Sequence, residues 1–216
     1  MGFAAGGGSD FIARLLALKL TEKLGQTVIV ENKPGAGGNL AAGKALKSPA
    51  DGYTLFLTAA SCTVNPALYK LSFDPIKDMT PIAQLARGPF IIAVNPAIKV
   101  KSLKEFAELA KKQPGKQSYA SAGNGSIVHM VTEYFLDSVG ADVLHIPYKG
   151  TFPALTDTIA GQTQLVFGTV ASTLPFVKSG QLKALAATMP QRLPALDGVP
   201  TVTEAASRSR SPTDTG

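Results

Sequence analysis

The chain has 216 residues, 45% of them hydrophobic and 17% charged, a globular composition that argues against disorder along its length. Its net charge of +6 comes from scattered lysines, and with no tryptophan and no aromatic–arginine cluster the sequence offers no nucleic-acid surface. A single cysteine, Cys62, and two separated histidines, His129 and His145, exclude an internal disulfide and a cysteine-rich metal site, so no metal and no cofactor is expected.

The first element is a helix in SDFIARLLALKLTEKLG. Phe11, Ile12, Leu15, Leu16, Leu20 and Leu24 recur at spacings of three and four, so they should form the buried face. Ser9 or Asp10 can cap its start, and Gly25 its end. QTVIVEN reads as a short buried strand, KPGAGGN as a loop, and LAAGKALK as a second helix capped by Asn39. DGYTLFLTA is the next strand, and residues 63–88 are irregular. GPFIIAVNP is a strand ended by Pro96. In SLKEFAELAKKQPG, Ser102 and Glu105 form a capping box and Pro114-Gly115 close the helix.

QSYASA, DVLHIPY, QLVFGTV and LKALAAT follow as strands, with helices in IVHMVTEYFLDSVG and TFPALTDTIAG. The order predicts an α/β fold with a parallel sheet joined by helical crossovers. Residues 115–170 repeat the rhythm of the first half, which suggests two lobes of similar plan. FIIAVNP and LKALAAT are the candidates for the two links between them. The closing SRSRSPTDTG is polar and lacks an apolar anchor, so 207–216 is expected to be a disordered tail.

Three glycine turns each precede a predicted helix: Gly6-Gly7-Gly8-Ser9-Asp10, Gly35-Ala36-Gly37-Gly38-Asn39, and Gly123-Asn124-Gly125-Ser126. Amides at a helix start lack intrahelical acceptors and lie in the positive end of the helix dipole, so such turns can hold anions without a cationic side chain. Each can equally be a plain tight turn or cap.

Other chemistry is weakly signalled. The stretch from Gly38 to Ala45 nearly spells a phosphate loop, but Ala45 stands where the magnesium-binding hydroxyl is needed. Gly123 and Gly125 begin a dinucleotide fingerprint that Val128 breaks. Ser126 and His129 are three apart on one helix, yet no nucleophile elbow surrounds the serine. Asp10 and Arg14 have the spacing of a helical ion pair. No catalytic constellation emerges. An α/β hydrolase or a nucleotide-dependent enzyme remains the alternative reading.

FAAGGGSDFIARLLALKL, LGQTVIVENKPGAGGNLAAGKAL, PADGYTLFLTA, NPALYKLSFDPIKDMTPIAQLA, SYASAGNGSIVHM, IPYKGTFPALTDTIAGQTQLVFGT, GQLKALAAT and LPALDGVPTVTEA occur in this order. Together they resemble the Bug (TctC-type) solute-binding receptors of tripartite tricarboxylate transporters, from Phe3 to Ala205. The resemblance implies a periplasmic-binding-protein-like fold of type II, two lobes joined by a two-strand hinge, with a mono- or dicarboxylate held mainly by backbone amides. On it, 1–94 with 183–206 form the first lobe and 95–182 the second.

The resemblance also implies a site. Ala5, Gly6, Gly7, Gly8, Ser9 and Asp10 would form a carboxylate loop, with Thr58, Ala59 and Ser61 beside it. Gly123, Asn124, Gly125 and Ser126 would close over the ligand, with Tyr148, Thr169 and Ala171 nearby. The implied protein is a monomeric, non-enzymatic periplasmic receptor whose partners are a small organic acid and membrane transporter subunits. The family pattern has a signal peptide and a first strand before the glycine loop, and further first-lobe elements after a T-x-x-E-A-G pattern. Here Met1-Gly2 and Ala206 stand at those points, so the first lobe is expected to be incomplete and the chain, as written, cytoplasmic.

Overall fold

The computed structural model describes residues 1–207. Its helices are α1 Gly8–Leu24, α2 Asn39–Ala45, α3 Ser61–Val64, α4 Leu103–Lys112, α5 Ile127–Ser138, α6 Thr151–Ile159, α7 Val170–Lys178 and α8 Val202–Ser207. The strands are β1 Phe90–Val94, β2 Ser118–Ser121, β3 Leu144–Pro147, β4 Leu165–Thr169 and β5 Lys183–Ala187. Contacts divide the chain into two compact units. One holds Met1–Arg87, Ser121–Val131 and Pro147–Ala154; the other holds Gly88–Ala120, Thr132–Ile146 and the chain from Leu155 onward. Of the tail expected at 207–216, Ser207 ends α8, and the rest lies outside the described residues.

The second unit is organised by one sheet in the order β3-β2-β4-β1-β5. The expected all-parallel sheet is corrected here: β2 runs parallel to β4, but β1 is antiparallel to both β4 and β5. The crossover from β4 through α7 to β5 leaves a one-strand gap, and the apolar run of β1 fills it. Ile91, Ile92, Ala93 and Val94 are accordingly fully buried, beside Leu165 and Val166. Both candidate link strands, β1 and β5, therefore lie side by side in this sheet.

Local signals in this unit hold. Ser102 caps α4 by accepting the Glu105 amide at 3.1 Å, while the Glu105 carboxylate takes the Lys101 amide rather than that of Ser102. Tyr119, fully buried, donates its hydroxyl to Glu133 and stacks on His145 with ring centres 4.7 Å apart. Burial, then the Glu133 hydrogen bond, pushes the phenol's pKa up and keeps it protonated. Thr173 is buried on α7 with no acceptor or donor for its hydroxyl among the described residues. Thr173→Val keeps the shape and removes the unpaired group, and is expected to raise stability by about 1 kcal/mol, read from the urea midpoint.

The first unit departs most from expectation. Neither QTVIVEN nor DGYTLFLTA forms a strand. Both lie outside every strand and lack a ladder partner among the described residues, and an unpaired segment cannot satisfy its amides as a sheet does. Ile29 is 83% exposed and Tyr53 91%. The buried face of α1 is also different: Gly8, Asp10, Ala13 and Ala17 point inward, whereas Phe11, Leu15 and Leu24 are exposed. The reason is rotational. The Asp10 carboxylate is tied to the adjacent turn, and the residues at helical spacing from it, Ala13 and Ala17, turn inward with it.

Candidate functional site

All three glycine turns lie in the first unit, so its geometry can be built from them. Ahead of α1, Ala4 donates its amide to the Lys149 carbonyl at 2.9 Å. The cap position falls to Gly7, in extended conformation and without a side-chain cap, rather than to Ser9 or Asp10. Phe11 makes the first backbone bond, to the Gly7 carbonyl at 3.0 Å. The amides of Gly8 and Ser9 precede it and have no intrahelical acceptor.

Asp10 does not cap because its carboxylate is engaged inside the turn. It accepts from the Gly6 amide at 3.0 Å, from Arg14 Nε at 2.9 Å and from Asn32 Nδ2 at 2.9 Å. Burial opposes its charge, but the hydrogen bonds from Arg14, Gly6 and Asn32, with the guanidinium charge, prevail and hold the carboxyl below its ordinary range. Asp10 thus braces the loop, and Arg14 balances its charge.

The third turn joins β2 to α5. Ser126, 1% exposed, caps the helix: its hydroxyl accepts the His129 amide at 3.2 Å, and its own amide bonds the Gly123 carbonyl at 3.0 Å. The His129 ring accepts the Gly125 amide through Nδ1 at 3.4 Å. Ser126 and His129 are therefore organised around a helix start, not as a nucleophile and its base. Tyr148 bonds the Ser121 carbonyl at 3.1 Å, and the next residue, Lys149, receives Ala4. The segment Tyr148-Lys149 so connects the first turn with the third.

The second turn meets the third through asparagines. Asn39 does not cap α2; Gly38 holds that position, and the side-chain Oδ1 of Asn39 accepts from Asn65 Nδ2 at 3.0 Å. The same Asn65 Nδ2 reaches the Gly37 carbonyl at 3.3 Å. Gly37 must be glycine, with φ of 61° and space for a Cβ only 2.8 Å from the Asn124 carbonyl oxygen. Lys44, on the near-miss phosphate loop, pairs with Glu31 at 2.7 Å on the surface.

Among the other expected site residues, Thr58 is exposed, Ala59 half-buried, and Ser61 buried with its hydroxyl 3.5 Å from the Gly37 carbonyl. Thr169 and Ala171 belong to the second unit, where the Thr169 hydroxyl bonds Ser172 at 2.8 Å. Sequence reading missed Asn32, Asn65 and Tyr69. Asn32 had a signal, a polar residue closing an apolar run, and Asn65 another, an Asn-Pro pair between irregular segments. Among the described residues, no group of three or more His, Cys, Asp or Glu could hold a metal ion.

The sequence model of the tripartite tricarboxylate transporter family receptors, TctC, matches residues 12–214. The chain belongs to this family. It is 36% identical to protein BugT of Bordetella pertussis over 205 residues, which cover 94% of this chain and 63% of BugT. The chain thus spans less than two thirds of the length of the relatives it matches first. Two solved structures are similar as well. The R. palustris protein Rpa4515, described with adipate, has a TM-score of 0.90 at 33% identity, over 94% of this chain and 69% of that one. MatC (Rpa3494) from Rhodopseudomonas palustris, described with bound malate, has a TM-score of 0.87 at 31% identity, over 94% of this chain and 70% of that one. The α/β architecture of this TctC-family chain is therefore that of the periplasmic solute-binding proteins.

Proposed function

We propose that the chain captures a small organic mono- or dicarboxylate and serves as the receptor component of a tripartite transporter. The observation that carries this reading is the pair of helix starts in one unit. Gly7-Gly8-Ser9 presents first-turn amides without a side-chain cap, and Gly123 to Ser126 forms the start of α5. Amides in that setting favour an anion and need no arginine. Asp10 enters as a brace, with Arg14 cancelling its charge. The adipate and malate of Rpa4515 and MatC set the chemical class to be tried.

In this reading Ala5 to Ser9 take one carboxylate, with Thr58, Ala59 and Ser61 beside it. Gly123 to Ser126 and Tyr148 approach from the other side, and Thr169 and Ala171 complete the cleft when the lobes close. In this reading the lobes are 1–94 with 183–206, and 95–182, a division that cuts across the two contact units. The protein acts by capture and release, without turnover, as a periplasmic monomer that delivers its ligand to membrane subunits. Titration calorimetry with adipate, malate and succinate tests the proposal. The expected result is saturable 1:1 heat with at least one acid and none with the matching diamide. Silence with every acid from a cooperatively folded sample overturns it.

A further inference from the structure

The segment Asn65–Tyr69 touches the third glycine turn at each of its two central residues. Tyr69 donates its hydroxyl to the Asn124 carbonyl at 2.8 Å. Asn65 is fully buried, and its Oδ1 lies 2.7 Å from where a Cβ on Gly125 would stand; the Tyr69 ring lies 2.8 Å from the same point. That oxygen has no hydrogen-bond partner among the described residues, although its amide nitrogen holds both Gly37 and Asn39. A buried amide with one end fixed and the other aimed unpaired at a turn is not what plain packing selects, because an orphaned carbonyl is costly. Burial raises the Tyr69 pKa, so the phenol remains a donor through the neutral range.

We propose that Asn65 and Tyr69 are positioning residues that clamp the Gly123–Ser126 turn, holding the first amides of α5 in the orientation that receives an anion. The inference rests on the carboxylate reading for its consequence but not for its geometry. Asn65 fixes the turn from beneath through its tie to Gly37 and Asn39, and Tyr69 fixes it from the side. With the clamp loosened, the bonds that hold the turn, from Gly125 to His129 and from Ser126 to Gly123, open more often, and the ligand must order the start of α5 on binding.

Two variants test this. Tyr69→Phe removes one hydrogen bond at a half-buried position. Asn65→Asp places an acid against the Gly37 and Asn39 oxygens, where only the protonated form can donate as Asn65 does. Hydrogen exchange by NMR is read first, without ligand. Tyr69→Phe should speed exchange at Gly125 and Ser126 about fivefold, the equivalent of one hydrogen bond, and leave the interior of α5 unchanged. Equal exchange in variant and parent sinks the clamp.

Adipate affinity is read second, at pH 5.5 and pH 8.5, as the ratio of variant to parent at each pH, which cancels the ligand's own titration. Tyr69→Phe should weaken it about fivefold at both values. Asn65→Asp should match the parent within about threefold at pH 5.5 and fall at least tenfold behind it at pH 8.5, as the buried acid ionises. A ratio to the parent that does not move with pH, or unchanged affinity in Tyr69→Phe, overturns the positioning role. If the parent binds no acid, the carboxylate reading fails and exchange alone decides the clamp. If Asn65→Asp does not fold, Tyr69→Phe decides.

Discussion

Asp10→Ala is expected to destabilise the chain by about 3 kcal/mol at neutral pH, read as a drop in the urea midpoint with the slope unchanged. Asp10 is 3% exposed, and its carboxylate receives the Gly6 amide and the side chain of Asn32, whose Nδ2 also reaches the Phe3 carbonyl at 3.0 Å. Alanine removes the charged acceptor that ties Gly6, Asn32 and Arg14 together, and hydrogen bonds to a charged group are each worth about 1.5–3 kcal/mol. Arg14 contributes little to the loss, because it is half-exposed and returns to water. Asp10→Asn should be nearly as damaging. One of its two terminal atoms becomes a donor, and every group facing the carboxylate is itself a donor.

The effect has a defined pH dependence. Because the folded state holds the Asp10 pKa below its unfolded value, its contribution is complete above roughly pH 4 and is lost as pH falls through the folded value. The gap between parent and Asp10→Ala should therefore be constant from pH 5 to pH 8 and narrow steadily below about pH 4. A gap that stays open in acid would mean that packing, not the charge network, holds the first turn.

Much of the second unit was legible because its signals are local. The cap at Ser102, the positive-φ Gly140 after α5 and the apolar run FIIAV each act within a few residues and formed as read, while the Glu105 half of the capping box closed on the Lys101 amide instead. The direction of β1 was not legible, since pairing is set by which gap the sheet leaves open, a long-range matter. The first unit shows the same limit more strongly. QTVIVEN and DGYTLFLTA carry strand propensity, but propensity without a neighbouring strand does not make a strand. The leucine pattern of α1 named the wrong inward face because three hydrogen bonds to Asp10 outweigh a weak apolar stripe. The glycine turns were visible as turns. What joins them, Asn32, Asn65 and Tyr69, was not, because asparagine and tyrosine in loops look the same whether they face water or a backbone.

Gly125→Ala is expected to have the largest effect on the site. Gly125 has a φ of 71°, which costs an alanine about 1 kcal/mol or more before any contact is counted. Its Cβ would then stand 2.7 Å from Asn65 Oδ1 and 2.8 Å from the Tyr69 ring. Asn65 cannot retreat, because its nitrogen is bound to Gly37 and Asn39 in a buried setting. The turn must move instead, at a total cost of about 3 kcal/mol. The same movement breaks the bonds from Gly125 to His129 and from Ser126 to Gly123 and tilts the start of α5, so adipate affinity should fall by at least tenfold, about 1.4 kcal/mol. Removing the obstruction separates the two effects. In Gly125→Ala combined with Tyr69→Ala, the ring overlap is gone while the positive φ remains, so part of the stability should return. Affinity should not, because the double variant lacks both the glycine and the Tyr69 hydroxyl on Asn124. Recovery of affinity with stability would show that the turn needs only room, and that its amides are oriented by something other than Asn65 and Tyr69.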